Sequence, residues 1–271
     1  MDILFFKIAL CAYLVSTLGY ITSLLIKRVL IARASTWVLF GAFIVHAASF
    51  LFRCIETGHS PFVNLYESLS FFAWAVSGIY LAFQVKTKTR VLGAFVSPVA
   101  FLLMMVASVR LGGDVSMPAI LQGHWVTVHV IFSISGEALF ALACLAGVMY
   151  LIQDGFIKSK KIGGFSRLLP SLRDLDRINH ICLLWGFPLL TVGVIAGSIW
   201  ARTVWGSHWQ WDTKQIWTLI VWAFYAVLLH QRLAIGWKGK KAAFFSIVAF
   251  LILLFAFVGA NVFFATSHRF I

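Results

Sequence analysis

The 271-residue sequence contains few charged residues, which make up 11% of the chain, and only 9 residues are acidic. A soluble globular domain carries roughly 25% charged residues. With 61% hydrophobic residues and a mean hydropathy of +0.94, too few polar groups remain to cover a surface that faces water. The composition therefore excludes an ordinary soluble domain and indicates a chain surrounded mostly by lipid.

The sequence also lacks paired cysteine motifs. Its four cysteines form no C-x-x-C and no C-x-x-C-H, which excludes a c-type cytochrome and argues against a dithiol carrier. Most of them lie in apolar runs, where cysteine usually acts as a small hydrophobic residue. No catalytic residue is assigned from the sequence.

Long apolar runs dominate the chain, and a membrane span needs about 20 such residues. Eight runs reach that length: about 3–26, 36–55, 66–85, 91–109, 124–152, 180–200, 217–237 and 242–264. The fifth run is longer than the hydrocarbon layer, so its helix should tilt or project from the membrane. The sequence thus predicts an all-α, polytopic helix bundle in which residues 1–271 form a single transmembrane domain.

The basic residues are concentrated in alternate connections. The segments after the first, third, fifth and seventh runs, together with Arg232 near the end of the seventh run, hold 16 of the 22 basic residues. Because basic loops remain in the cytoplasm, these segments should face inward, and both termini and the segment 200–217 should lie on the outer side. The net charge of +13 therefore reflects membrane orientation, and nucleic-acid binding is not expected.

Tryptophan is concentrated in one of the outer segments. Within 23 residues lie 6 of the 11 tryptophans: Trp200, Trp205, Trp209, Trp211, Trp217 and Trp222. One interpretation is an interfacial aromatic belt. A belt alone does not explain why three of these residues share one polar loop, so a binding loop is the alternative.

Such a loop suits a large, flat, apolar ligand with polar edges. The indoles of Trp205, Trp209 and Trp211 would stack on the ligand, beside Asp212. Gly206 would let the backbone approach the ligand closely. Arg202 and Lys214 are candidates to pair with a carboxylate of the ligand, or to act as structural partners.

Several ionisable residues in or beside the spans have more than one interpretation. His129 and His268 are expected on the same side as the tryptophans, and two imidazoles can hold a haem iron from opposite faces. His230 is either a ligand at a second, earlier haem position or a hydrogen-bonded residue. His46 is either the second ligand at that position or a packing residue, and in the latter case a partner subunit could supply the ligand. Glu137 pairs with a cation, stays protonated or relays protons.

The string WGSHWQWD, Trp205–Asp212, resembles the WWD signature of a superfamily of haem-handling membrane proteins that deliver haem to apocytochromes c. The flanking strings narrow this resemblance to the CcsA branch, also called ResC. They are GHSPFVNLYESLSFFAW (Gly58–Trp74), LQGHWVTVHV (Leu121–Val130) and LLHQR (Leu228–Arg232). The resemblance covers nearly the whole chain from about residue 50 onward.

This resemblance implies a subunit of a system II cytochrome c synthase, or haem lyase, that works with a CcsB/ResB-like membrane partner. Together they would move haem b outward, keep it reduced and attach it to the C-x-x-C-H cysteines of apocytochrome c, with a thiol-reducing partner also compatible. The family's external iron ligands match His129 and His268, and its intramembrane ligand matches His230. The implied location is the inner (plasma) membrane or a thylakoid-type membrane.

The sequence departs from the family pattern at two places. Thr213-Lys214-Gln215 follows the signature where Pro-Lys-Glu is frequent, which puts in doubt any acid role at position 215. His268-Arg269-Phe270 stands where His-Ser-Tyr is frequent, and the candidate ligand is retained.

Three other functions remain open at this stage. A haem exporter without attachment chemistry shares every feature except the surface for an apocytochrome. A b-type cytochrome or quinone-site subunit predicts an intramembrane pair such as His46 and His230, and it leaves the tryptophans unexplained. A glycan-handling enzyme also uses tryptophan stacking, but it does not need His129 and His268 together.

Overall fold

The computed structural model describes residues 1–58, 60, 64–87, 89–110, 123–160 and 163–259. All regular structure in these residues is helical, and eight of the described helices are long and apolar enough to cross a membrane. The α-helices are α1 (Asp2–Ile26), α2 (Val29–Thr57), α3 (Leu65–Thr87), α4 (Gly93–Ala107), α5 (His124–Lys158), α6 (Leu172–Trp205), α7 (Thr213–Leu233) and α8 (Lys240–Leu254). With the adjoining helical turns, the fourth and eighth spans extend over Arg90–Ala107 and Lys240–Phe257. Short 3-10 turns flank α4, and a π-helical turn follows α8. The predicted all-α multi-pass membrane fold is therefore confirmed.

The sixth span differs most from its predicted bounds. α6 begins at Leu172 rather than near residue 180, and it continues to Trp205. Its first turns carry polar residues such as Asp176, which hydropathy cannot distinguish from a connecting loop. Ser171 caps this start, because its Oγ accepts the N–H of Asp174 at 3.1 Å. At 34 residues, α6 is roughly 50 Å long, well beyond a hydrocarbon layer of about 30 Å.

The helices form two compact units, with α1–α4 in the first and α5–α8 in the second. The single domain predicted over residues 1–271 stays a prediction.

In the first unit, buried hydroxyl groups join the helices. Tyr20 Oη lies 3.0 Å from Tyr80 Oη and 2.8 Å from Thr36 Oγ1. Interhelical hydrogen bonds of this kind stabilise helix contacts in lipid.

The string NLYES (residues 64–68), which is part of the segment Gly58–Trp74 that resembles the family, has a structural role in the first unit. Asn64 Oδ1 accepts the N–H of Glu67 at 2.8 Å and so caps the start of α3. Glu67 Oε1 accepts from Arg53 Nη2 at 3.1 Å, and Arg53 Nη1 donates to Asp2 Oδ2 at 3.2 Å. This ion-pair network joins the ends of α1, α2 and α3.

His46 is fully buried in the first unit, with both ring nitrogens in hydrogen bonds. Nε2 lies 2.8 Å from Ser70 Oγ, and Nδ1 lies 3.4 Å from Tyr13 Oη. The ring also stacks on Phe50 at a centroid distance of 4.6 Å. This environment agrees with the packing role among the alternatives for His46, since an iron ligand would have to give up one of these bonds.

In the second unit, glycines at the contact between α5 and α6 bring these two helices close together. A Cβ added to Gly136 would lie 2.8 Å from the carbonyl oxygen of Gly186, and one added to Gly193 would collide with Ser133. Small residues at such contacts let membrane helices approach closely. The contacts advance along α5 while they recede along α6, so the helices are antiparallel and the start of α5 lies beside the last part of α6.

A polar cluster joins α6, α7 and the start of α8. Arg232, whose side chain is 2% exposed, donates to Asp176 Oδ1 at 3.1 Å and to Asn179 Oδ1 at 2.9 Å. Asp176 Oδ1 also accepts the N–H of Gly239 at 2.9 Å, and His180 Nδ1 accepts from Arg232 Nε at 3.3 Å. Because a buried charge in a membrane protein is costly unless it is paired, this cluster fixes the end of the unit where α6 begins.

We expect Asp176→Asn to destabilise the protein far more than Asp154→Asn. Asparagine keeps the shape of the side chain and the acceptor for Gly239, but it leaves the buried Arg232 charge uncompensated, at a cost of about 3 kcal/mol. The control Asp154 pairs at 2.6 Å with Lys158, which is 63% exposed, and such surface pairs contribute about 0–1 kcal/mol. Thermal unfolding of the detergent-purified chain measures both changes, and equal shifts would contradict the role given to the cluster.

Candidate functional site

The ring of His129 lies in the contact between the start of α5 and the last part of α6. Its Nδ1 is 2.7 Å from the carbonyl oxygen of Gly193. A carbonyl oxygen can only accept a hydrogen bond, so Nδ1 carries a proton and donates it. In the neutral ring the lone pair is then on Nε2, which in this tautomer is the ring nitrogen that can accept a hydrogen bond or ligate a metal.

Gly197, one turn after Gly193, lies against the same ring. A Cβ added at position 197 would be 2.6 Å from His129 Nδ1 and 2.9 Å from Cε1. Carbon atoms in favourable contact are about 3.5–4.0 Å apart, so the ring occupies the space that a side chain at 197 would need. The backbone of α6 therefore contacts the His129 ring at two successive turns.

The predicted external loop at 200–217 is shorter in the structure, because α6 continues to Trp205 and α7 begins at Thr213. Because this segment is polar, the sequence did not indicate that residues at its two ends are helical. We call the WGSHWQWD string, residues 205–212, the Trp loop. Gly206 caps the C-terminal end of α6: its φ of 72° is left-handed, and its N–H donates to the Arg202 carbonyl at 2.9 Å. Glycine adopts this conformation without the steric penalty of a side chain.

His208 holds the Trp loop on α6, a role that the sequence pattern did not reveal. Its Nδ1 donates to the Ser198 carbonyl at 3.2 Å, and its Nε2 accepts from Arg202 Nη1 at 3.4 Å. This contact agrees with the structural alternative for Arg202. Since Ser198 follows Gly197 directly, the loop is anchored at the level of the His129 ring. We call this end of the second unit the Trp-loop end.

The tryptophans form two edge-to-face pairs around the Trp loop. The centroids of Trp200 and Trp205 are 5.2 Å apart, and those of Trp209 and Trp211 are 5.8 Å apart. Trp211 has a left-handed φ of 53° and is 72% exposed. This conformation costs a non-glycine residue about 1–2 kcal/mol, and such strain is concentrated at functional sites. The loop thus holds an exposed indole at the Trp-loop end.

Trp209 has a buried polar atom that the described residues leave unsatisfied. Its indole Nε1 lacks a hydrogen-bond partner among them. Buried donors without a partner are rare in proteins and call for an explanation. A polar edge of a bound molecule would supply the missing acceptor.

The loop closes onto α7 through residues that follow the signature. Gln215 Oε1 accepts the N–H of Gln210 at 2.7 Å, so this glutamine has a structural role. Asp212 precedes α7, and its carbonyl accepts the N–H of Ile216 at 3.0 Å. Lys214 is half-buried in the first turn of α7, where it remains a candidate partner for a ligand carboxylate.

His230 is at the opposite end of the second unit from His129. It is an exposed residue in the last turn of α7, roughly 25 Å along the helix from Thr213. α7 begins earlier than predicted, so His230 lies further from the Trp loop than the sequence suggested. His268, the other predicted external ligand, lies outside the described residues.

Glu137 is half-buried on α5, two turns beyond His129. None of the ion pairs between described residues includes it. Pairing with a cation therefore finds no support in the described part of the chain, whereas the protonated and proton-relay alternatives stay open.

Comparison with known proteins identifies the family. Residues 62–268 match the family described as Cytochrome C assembly protein. Curated relatives named Cytochrome c biogenesis protein CcsA include one from Chlamydomonas reinhardtii, 34% identical over 219 residues, which covers 78% of this chain and 61% of the relative. The relative from Prochlorococcus marinus is 32% identical over 263 residues, or 87% of this chain and 81% of the relative. The relative from Porphyra purpurea is 31% identical over 249 residues, or 77% and 78%.

A solved structure shares the fold. Cytochrome c Heme Lyase CcmF matches with a TM-score of 0.70 at 16% identity, over 98% of this chain and 47% of that chain. This chain therefore spans about half of that protein and 61% of the Chlamydomonas relative. Because the family match extends over most of the chain and CcsA relatives are more than 30% identical, the protein belongs to the cytochrome c assembly family as a CcsA-type cytochrome c biogenesis protein.

Proposed function

We propose that the protein carries haem b to the Trp-loop end of its second unit and presents it there, reduced, for attachment to apocytochrome c. Haem is the substrate, and the acceptors are the cysteines of a C-x-x-C-H motif. In this proposal the chain is one subunit of a haem lyase, together with a CcsB/ResB-like partner. The Trp-loop end faces the outer side of an inner (plasma) or thylakoid-type membrane.

The observation that carries this proposal is the tautomer of His129. The bond from Nδ1 to the Gly193 carbonyl, 2.7 Å long, leaves the lone pair of the neutral ring on Nε2. Metal-ligating histidines in proteins almost always donate their other ring N–H to a carboxylate, a carbonyl or water. This hydrogen bond supports the proposal that His129 is an iron ligand.

The Trp loop fits the remainder of a haem molecule. The exposed indole of Trp211 offers an apolar face to a porphyrin. The Trp209 N–H lacks an acceptor among the described residues, and a propionate would provide one. Lys214 and Arg202 are the basic residues nearest in sequence to this loop, and they retain their proposed roles toward the propionates. An interfacial belt alone does not account for a strained tryptophan and an indole N–H without an acceptor among the described residues, both in one loop.

The proposed second external ligand is His268. With His129 it would hold the iron in the low-spin, bis-imidazole form until a histidine of the cytochrome replaces one ligand. His230 is the proposed ligand of an earlier haem position at the opposite end. Because His230 is exposed on α7 and His46 has both nitrogens occupied, we assign the other ligand there to the partner subunit.

The reaction at the outer position is the addition of a cysteine S–H across a vinyl C=C of haem. A carbon–sulfur bond forms to one vinyl carbon and the hydrogen goes to the other, so the addition consumes no oxidant or reductant. The haem and the apocytochrome bring the reacting groups. The protein contributes orientation, which can account for a large part of a rate enhancement, and a site that keeps the iron ligated.

Export alone is the second candidate function, and it rests on an observation that it shares with the first. His129 and His230 lie at opposite ends of the same unit, as a pathway through the membrane would require. Reconstitution of this chain and its partner in vesicles separates the two functions, with reduced haem supplied on the cytoplasmic side of the protein and a C-x-x-C-H apocytochrome on its outer side. We expect covalent haem on the acceptor and none on an acceptor with both cysteines changed to serine. Haem release without covalent product would favour export.

We expect His129→Ala and His268→Ala each to remove the low-spin haem spectrum of the purified complex. Loss of one axial ligand leaves the iron five-coordinate or water-bound, and haem content should fall about 10-fold or more. His124→Ala is the control, because His124 is an exposed histidine at the first residue of α5. Unchanged spectra in both ligand variants would overturn the ligand assignment.

We also expect Trp211→Ala to weaken haem binding by about 10-fold, since one aromatic stacking contact contributes about 0.5–1.5 kcal/mol beyond its buried area. Trp185→Ala is the matched control, because Trp185 is a 63% exposed tryptophan on α6 outside the Trp loop. Haem titration of the apoprotein measures both. Equal effects of the two changes would remove the porphyrin-binding role from the Trp loop.

A further inference from the structure

We propose that Gly193 and Gly197 are positioning residues for His129, which together fix the plane of its ring and the nitrogen that it offers to iron. This proposal rests on the proposed function, because it takes His129 as a haem ligand. It assigns the two glycines a role toward the iron in addition to helix packing.

The contribution of Gly193 is its carbonyl oxygen. Gly193 lies so close to α5 that a Cβ at this position would collide with Ser133 Oγ and lie 2.8 Å from the Ser133 nitrogen. Without that close approach, the carbonyl would not reach His129 Nδ1 at 2.7 Å. The accepted hydrogen bond fixes the tautomer and strengthens the ligand as an electron donor. Stronger donation favours ferric over ferrous iron, so loss of the bond should raise the reduction potential.

The contribution of Gly197 is the space for the ring. A methyl group at this position would lie 2.6 Å from Nδ1, 2.9 Å from Cε1 and 3.3 Å from Cγ of His129. The methyl group therefore meets the ring edge that carries the hydrogen bond. To reach ordinary contact distance the ring must move by roughly 1 Å, which breaks the bond to Gly193 or turns Nε2 away.

The two contacts act on different degrees of freedom. The carbonyl of Gly193 selects the tautomer, whereas the bare Cα of Gly197 selects the ring position. Because both lie on one face of α6, a turn apart, a single change at 197 disturbs the ligand while the helix contact at Gly193 is kept. Gly197→Ala is therefore the more selective test.

The experiment compares Gly197→Ala with Gly155→Ala in the full-length protein purified with its partner. A Cβ at Gly155, on α5, would meet nothing within 4 Å, so this control adds the same methyl group without a contact. Haem b is the probe, and the readouts are affinity, the low-spin spectrum and the reduction potential. We expect Gly197→Ala to weaken haem affinity about 10- to 100-fold and to raise the potential, with Gly155→Ala within about twofold of the parent protein.

A second arm separates ring positioning from general packing. In a His129→Gly background, imidazole from solution can ligate the iron, and because it is not attached to α5 it can bind about 1 Å away from a methyl group at position 197. We expect imidazole to restore the low-spin spectrum equally in His129→Gly and in the double variant with Gly197→Ala. The double variant should also fold if Gly197→Ala alone does not, because the clashing ring is gone.

Each outcome has a distinct meaning. If His129→Ala retains the parent spectrum, His129 is not an iron ligand, and the proposed function loses the observation that carries it. If His129→Ala loses the spectrum while Gly197→Ala matches Gly155→Ala, the positioning role fails and the ligand assignment stands. If the double variant misfolds or resists imidazole rescue while His129→Gly does not, Gly197 serves helix packing and the positioning proposal is overturned.

Discussion

The close contact of α5 with the last part of α6 is the constraint on which the rest of the site depends. Glycines at this contact bring the two backbones near enough for the Gly193 carbonyl to accept the His129 Nδ1–H. A wider separation would leave a polar imidazole in a membrane span without that bond, at a substantial free-energy cost. Helix packing and the orientation of the His129 ring are therefore set by the same small residues.

The two ends of the second unit have different chemistry. At one end, the buried Arg232 cluster joins three helices through ion pairs and hydrogen bonds. At the Trp-loop end, His208 ties a loop with an exposed indole to the turn of α6 that contacts His129. The first arrangement joins helices, and the second exposes aromatic surface beside an indole N–H that lacks an acceptor in the described part of the chain. We infer that the haem moves between these ends.

The sequence predicted the fold because eight apolar runs of membrane length leave few alternatives in lipid. It missed the first turns of α6, where polar residues form a capped helix rather than a loop. It singled out His129 but not Gly193, because a bond to a backbone carbonyl leaves no residue pattern. His208 was missed for the same reason. For His46, the sequence left several roles open, and only its contacts with Ser70 and Tyr13 favour packing.

The central claim concerns one nitrogen atom, and a cryo-electron microscopy map of the haem-loaded complex at side-chain resolution tests it most directly. The account predicts haem density at the Trp-loop end, with its iron bonded to Nε2 of His129 and Nδ1 still directed at the Gly193 carbonyl. Haem located away from residues 205–212, or iron bonded to Nδ1, would contradict the account.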